Sequence, residues 1–166
     1  IIFEQIMEKY LHLDLHEGAL DALEAMSGRK RAILSNGSTG MLNALVHNSG
    51  LNKVLDATIS VDSQRIFKPS PATYALVEAT LKVTPERVLF VSSNPFDVCG
   101  AKAFGLNVAW IERVTPAALA AEWGRTDLVA PLTMFKALRM QMDELGLEPD
   151  HRISTLSELP GLLPLY

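Results

Sequence analysis

Three short strings carry the residues whose types and spacing could do chemistry. They are Ser35-Asn36-Gly37-Ser38, then Phe67-Lys68-Pro69 with Tyr74 six residues after the lysine, then Ser92-Ser93-Asn94-Pro95-Phe96-Asp97. The first offers small hydroxyls, a carboxamide and exposed backbone N–H groups, a donor set that can hold a carboxylate, a phosphate or a halide. In the second, Pro69 biases Lys68 toward extended backbone, so the backbone rather than a helix face presents the ammonium. A cation so placed suits an anionic nucleophile or the charge of a transition state. In the third, Asp97 falls in the first turn of an expected helix, where the dipole favours a negative charge. There it could orient Lys68 or serve as a general base. Singly, each string also reads as something ordinary: a capped turn, a surface lysine, a helix-start acid. Tyr74 could likewise face the same crevice or simply pack. In order, at the tips of successive strands, the three converge on one edge of one sheet.

That convergence depends on the elements that carry the strings. Residues 31–36, 56–61, 87–93 and 106–112 are short apolar runs without polar alternation, the pattern of parallel strands covered on both faces. Helical patterns separate them: residues 39–49 stopping at Gly50, 71–81 with Tyr74, Leu76, Val77 and Leu81 at helical intervals, and 95–104 stopping at Gly105. Strand and helix in alternation predict an α/β fold, a Rossmann-like doubly wound parallel sheet. Two amphipathic helices are expected before the first strand, over 2–13 and 17–26. Two more are expected after the last, over 116–122 and 131–145. The final one is rich in Leu and Met and reads as a packing helix against the domain or a partner subunit.

The bulk composition narrows the function classes. A chain of 166 residues, 48% hydrophobic and 20% charged, suits one globular domain with a sizeable core. A net charge of −4 with no Lys/Arg-rich run argues against a nucleic-acid partner. No apolar run approaches the ~18 residues that a membrane helix needs, and no signal-peptide pattern is present. Cys99 is the single cysteine, so neither an intrachain disulfide nor a Cys-based metal site is expected. These features predict a cytoplasmic protein without membrane contact.

With these strings in view, the chain resembles the haloacid dehalogenase superfamily over roughly residues 10 to 112. AILSNGS resembles its second motif, FKP its third and FVSSNPFD its fourth. Within the superfamily the likeness is to the type II L-2-haloacid dehalogenases, in which Ser-Asn-Gly, Lys-Pro with a Tyr six residues on, and Ser-Ser-Asn-x-x-Asp recur. The resemblance implies hydrolysis of L-2-haloacids to D-2-hydroxyacids. An aspartate attacks the halogen-bearing carbon with inversion, and water then hydrolyses the resulting ester. By matching position, it implies that Ser35 binds the substrate carboxylate and Asn36 helps hold the departing halide. Lys68 would stabilise the nucleophilic carboxylate, Ser92 and Asn94 would order that network, and Asp97 would activate or position water. Tyr74 and Phe96 would shape the pocket. The implied partners are a small 2-haloalkanoic acid and halide, with a homodimer expected and no cofactor.

Ser93 separates branches of the superfamily, and two departures qualify the resemblance, a missing N-terminal string and the extra helix over 131–145. Phosphatases of the superfamily carry an Asp that ligates Mg²⁺ where this chain has Ser93, and a neutral hydroxyl is a poor ligand for that ion. The expectation is therefore a reaction without metal, with a Mg²⁺-dependent phosphatase as the alternative. The family's N-terminal Asp-x-Tyr-Gly-Thr string, which bears the nucleophile on the central strand, is absent, as is the arginine of its cap. On this alignment residues 1–14 are the tail of a helical cap, and residues 15–166 are the core with an additional C-terminal helix. The chain alone is expected to lack the nucleophile and the central strand, and a truncated, non-catalytic binding or dimerising paralogue is a further alternative.

Overall fold

The computed structural model describes residues 2–114, 117, 120, 121, 134 and 146–162. Its strands are β1 (Ala32–Ser35), β2 (Ala57–Ser60), β3 (Leu89–Ser92), β4 (Asn107–Ile111) and β5 (His151–Ile153). Its helices are α1 (Ile2–Tyr10), α2 (Ala19–Ala25), α3 (Thr39–Asn48), α4 (Pro71–Leu81), α5 (Pro95–Phe104) and the short α6 (Leu159–Leu162). Local chemistry sets several boundaries. The Ser38 side chain caps α3 by accepting from the Met41 N–H. Pro71 and Pro95 open α4 and α5, where a missing N–H costs nothing. Gly105 closes α5 at a φ of 101°, a conformation that glycine adopts without steric cost.

All the strand pairings are parallel, but they make two sheets rather than the single sheet expected. β1 pairs with β2 in the register Ala32↔Ala57 to Ser35↔Ser60. β4 lies between β3 and β5, with Ser92↔Trp110 and Trp110↔Arg152 in register. β1 and β3 are not hydrogen-bonded to one another. The break falls where the resemblance puts the family's central strand, which this chain was expected to lack.

The second sheet is covered on both faces, as a doubly wound sheet requires. On one face Val108 and Trp110 bury themselves with Tyr74 of α4 and Val98 and Ala101 of α5, and Leu34 and Phe90 pack against this cluster. On the other, Ala109 and Ile111 pack with Ile153, Leu159, Leu89 and Val91. Leu34 therefore reaches from β1 to the core beneath β3 and β4, so apolar packing joins the sheets that backbone bonds leave separate. Each aliphatic side chain so buried contributes about 1.5–3 kcal/mol. A third cluster, Leu42, Val46, Leu51 and Val54, seats α3 beside Ile33 of β1.

At the N-terminus, α1 has no buried residue and exposes Ile2, Phe3, Ile6 and Tyr10. The helices expected over 116–122 and 131–145 fall almost wholly outside the described residues. No helix among the described residues is long and apolar enough to cross a membrane.

β5 was not anticipated, and one side chain supports it. Asp150 Oδ2 accepts the Val108 N–H at 2.7 Å, and Lys102 Nζ donates to the two carboxylate oxygens at 2.7 and 2.9 Å. The Asp150 N–H in turn donates to the Val108 carbonyl at 2.9 Å. Burial opposes the Asp150 charge, but the hydrogen bonds from Lys102 and Val108 outweigh it and hold this carboxyl below the usual range. The folded state thus binds this proton less readily than the unfolded chain. Its contribution is present at neutral pH and is lost as pH falls through the lowered folded value. In the full-length protein Asp150→Asn should cost about 1 kcal/mol at pH 7 by urea denaturation. The difference from wild type should shrink as pH falls below the ordinary carboxylate range and through the lowered folded value; a gap unchanged across acid titration would exclude this carboxylate as its source.

Candidate active site

The polar tips of β1 and β3 meet around one ammonium group. Lys68 Nζ donates to Asp97 Oδ2 at 2.7 Å and to the Leu34 carbonyl at 3.2 Å. It also lies 5.6 Å from the centre of the Phe90 ring, within range of a cation–π attraction. The Lys68 and Asp97 side chains are only 10% and 4% exposed, so both charges are largely removed from water. Such a pair persists only if its remaining valences are met.

The neighbouring residues meet them. Ser92 Oγ donates to Asp97 Oδ2 at 3.2 Å, and the Tyr74 hydroxyl donates to Oδ1 at 2.8 Å. The Asp97 N–H donates to the Asn94 carbonyl, which starts α5 beneath the carboxylate. Burial first, and then the adjacent Asp97 charge, push the Tyr74 phenol far above its ordinary range. It therefore stays protonated and remains a donor throughout the working pH range.

The β1 tip is locked onto the same group. Asn36 Oδ1 accepts the Lys68 N–H at 3.0 Å, so the loop that carries the ammonium is tied to the strand end by its backbone. Ser35 Oγ accepts the Gly37 N–H at 3.0 Å, which fixes the hydroxyl oxygen and leaves its proton for an incoming anion. Ser60 Oγ at the β2 tip donates to the Gly37 carbonyl at 2.7 Å and holds this turn from the other side. At the β3 tip the Asn94 N–H donates to Ser92 Oγ at 3.2 Å. Phe96, 39% exposed, stands in the first turn of α5.

The structure therefore gathers Ser35, Asn36, Lys68, Tyr74, Ser92, Asn94 and Asp97 at one end of the strands, and two of these take the more enclosed of the placements that the sequence left open. Tyr74 was expected to shape the pocket. It is 0% exposed, packed edge-on to Phe90 at 5.7 Å between ring centres, with its hydroxyl on Asp97. Asp97 was expected to activate or position water. It is buried with both carboxylate oxygens engaged, so it holds Lys68 and is not open to solvent. Two contributors went unrecognised in the sequence, Ser60 and the Leu34 carbonyl, and neither leaves a signal in residue type or spacing.

A catalytic Mg²⁺ would need carboxylates, and among the described residues of the β1 and β3 tips Asp97 supplies the one carboxylate. Ser93 occupies the turn between β3 and α5, and the Asp97 carboxylate is engaged by Lys68, Ser92 and Tyr74. Among the described residues no three His, Cys, Asp or Glu side chains cluster as a metal's ligands would.

Parallel strands flanked by helices, with a lysine–aspartate pair set at the strand tips, define a Rossmann-like α/β core. The model of the haloacid dehalogenase-like hydrolases matches residues 3–105, and the chain belongs to that family. It is 51% identical over 156 residues to an (S)-2-haloacid dehalogenase from Xanthobacter autotrophicus, covering 94% of this chain and 61% of that protein. It is 48% identical over 111 residues to haloacetate dehalogenase H-2 from a Moraxella species, covering 66% of this chain and 50% of that protein. The solved Xanthobacter L-2-haloacid dehalogenase with chloropropionic acid covalently bound superposes with a TM-score of 0.85 at 51% identity, covering 93% of this chain and 63% of that one. The chain thus spans about three fifths of the length of the Xanthobacter relative.

The pairing of Lys68 with Asp97 can be tested by stability alone. Removing one partner strands the other charge in a largely dry site, so Asp97→Ala in the full-length protein should cost about 3 kcal/mol by urea denaturation. Adding Lys68→Met to that variant should recover part of the loss. Losses that merely sum would show that the two groups do not interact.

Proposed function

We propose that this chain supplies the Lys68 side of a hydrolytic dehalogenase that converts L-2-haloacids to D-2-hydroxyacids. The observation that carries the reading is the ammonium of Lys68, held between Leu34 of β1 and Asp97 of α5 at the break between the two sheets. That is where the resemblance places the strand bearing the nucleophilic aspartate, which a segment outside these 166 residues would provide. An ammonium has three N–H donors, and two are engaged here, so the third is left for an incoming carboxylate. The covalently bound chloropropionic acid in the Xanthobacter structure supports a covalent route.

In this reading the aspartate oxygen attacks the halogen-bearing carbon from the face opposite the halogen. The new C–O bond forms as the C–halogen bond breaks, and halide leaves with the bonding electrons. Lys68 stabilises the attacking carboxylate, and its pairing with Asp97 keeps it fixed rather than solvated. The Ser35 hydroxyl takes the substrate carboxylate, and the Asn36 amide donates to the departing halide. Water then cleaves the ester, releasing the hydroxyacid and regenerating the aspartate. Phe96 contributes the apolar wall beside the alkyl carbon. Ser92 and Asn94 set the β3 tip that braces Asp97.

Several observations support the finer parts of this reading. The donor set around Ser93 and Asp97 favours a reaction that uses no metal. The single buried cysteine fits a cytoplasmic setting. The exposed apolar face of α1 fits burial against further chain or a second copy, and so accords with a homodimer.

The full-length protein should release chloride from L-2-chloropropionate and leave the D enantiomer intact, at a rate that EDTA does not change. No chloride release would overturn the reading. Chelator-sensitive hydrolysis of p-nitrophenyl phosphate in its place would establish the phosphatase alternative. Lys68→Met should lower kcat by about a hundredfold to a thousandfold. A wild-type rate in that variant would remove Lys68 from the mechanism.

A further inference from the structure

Gly100 lies within α5, and its backbone is ordinary helix, so conformation alone does not call for glycine there. Space does. A Cβ built on Gly100 would stand 2.5 Å from the Tyr74 hydroxyl oxygen, 3.1 Å from Tyr74 Cε2 and 2.5 Å from Pro69 Cβ. Carbon atoms in ordinary contact keep about 3.5–4 Å apart. Any side chain at this position would displace both neighbours. Among the described residues the other helical glycines, Gly40 and Gly161, would meet nothing within 4 Å.

The two neighbours are the supports of the charge pair. Pro69 follows Lys68 directly, and the loop they share is anchored by the Lys68 N–H on Asn36. Tyr74 holds Asp97 Oδ1 through a hydroxyl that has no exposure to solvent. The missing side chain of Gly100 thus sets how closely Pro69, beside the ammonium-bearing Lys68, and the Tyr74 hydroxyl, which holds the carboxylate, approach α5. Tyr74 can reach Asp97, one turn before Gly100 on α5, only because nothing projects from position 100.

We propose that Gly100 is a positioning residue for dehalogenation, acting through Tyr74 and Pro69 to hold Asp97 against Lys68. The proposal rests on the reading of Lys68 as the group that stabilises the nucleophile. With a methyl group at position 100 the Tyr74 hydroxyl withdraws, Asp97 Oδ1 loses its donor, and the carboxylate turns away from Lys68. The ammonium then no longer has one fixed place at the strand tips. Substrate binding through Ser35 is untouched, so the loss falls on kcat and not on KM.

Three variants of the full-length protein test this: Gly100→Ala, Tyr74→Phe and the two combined. Turnover of L-2-chloropropionate is read together with the acetylation rate of Lys68 Nζ by acetic anhydride, measured by peptide mass. Lys102, paired with Asp150, serves as the internal control for an intact fold. Each single variant should lower kcat about tenfold, hold KM within about twofold and label Lys68 about tenfold faster, with Lys102 unchanged. The combined variant should lose less than the product of the two single losses, because the hydroxyl that clashes is already gone. Lys68 labelling at the wild-type rate in Tyr74→Phe, or losses that multiply in the combined variant, would overturn the proposal. If Gly100→Ala does not fold, Tyr74→Phe still decides, since it removes one hydroxyl and introduces no clash. A wild-type protein inert toward haloacids would end the functional reading, and the labelling arm would still decide the role of Gly100.

Discussion

A positive and a negative charge share a site almost without water, and the surrounding elements are arranged around that constraint. Taking Lys68 and Asp97 out of solvent costs several kcal/mol per ion, and their attraction compensates only when every remaining lone pair and proton finds a partner. The partners come from different places: a β1 carbonyl, the β3-tip hydroxyl of Ser92, the phenol of Tyr74 on α4 and the first turn of α5. Each group that stabilises the pair is thereby held by it. A rigid ammonium is worth more to a reaction than a solvated one, because its dipoles need not reorganise as charge moves. The packing that makes the pair tolerable is also what makes it useful.

Parallel topology explains why these groups come together at all. Each sheet is parallel and so carries its polar turns at one end, and the packing of Leu34 against the core beneath β3 and β4 sets the ends of β1 and β3 side by side. The apolar interior supports the geometry from below. Phe90 on β3 backs both the Tyr74 ring and the Lys68 ammonium, and Leu34 extends the same cluster under β1. The site is therefore a polar surface laid on a close-packed floor, and its tolerance for displacement is small.

Most of the architecture was legible because its causes are local. Continuous apolar runs, prolines at the first helical position and Gly105 past the end of α5 each mark an element by themselves. β5 was not legible. His-Arg-Ile is too short and too polar to read as a strand, and its pairing is supported by Asp150, which binds Val108 and Lys102 from far along the chain, and by the packing of Ile153. The break between the two sheets falls where the resemblance puts the family's central strand, yet which neighbours would part could be seen only in three dimensions. Within the site, residue types pointed to the right positions and said less about posture. Asp97 resembled a base and is a buried anchor, and Tyr74 resembled a pocket wall and lies in the core. Burial and partner choice are tertiary facts, and no spacing along the chain encodes them.

The break between the sheets also bears on the order in which the molecule can come together. β1 with β2, and β3 with β4, are joined through single helical crossovers, so each pair closes contacts that are near in sequence and needs little from the other. Such segments behave as separate cooperative units. The bonds from Lys68 to Leu34 and Asp97 cross the seam between them, so they form only once the units have docked. Secondary structure can then be complete while the centre is still unmade. The pairing of Lys68 with Asp97 reports the joining of two halves, and not the folding of either.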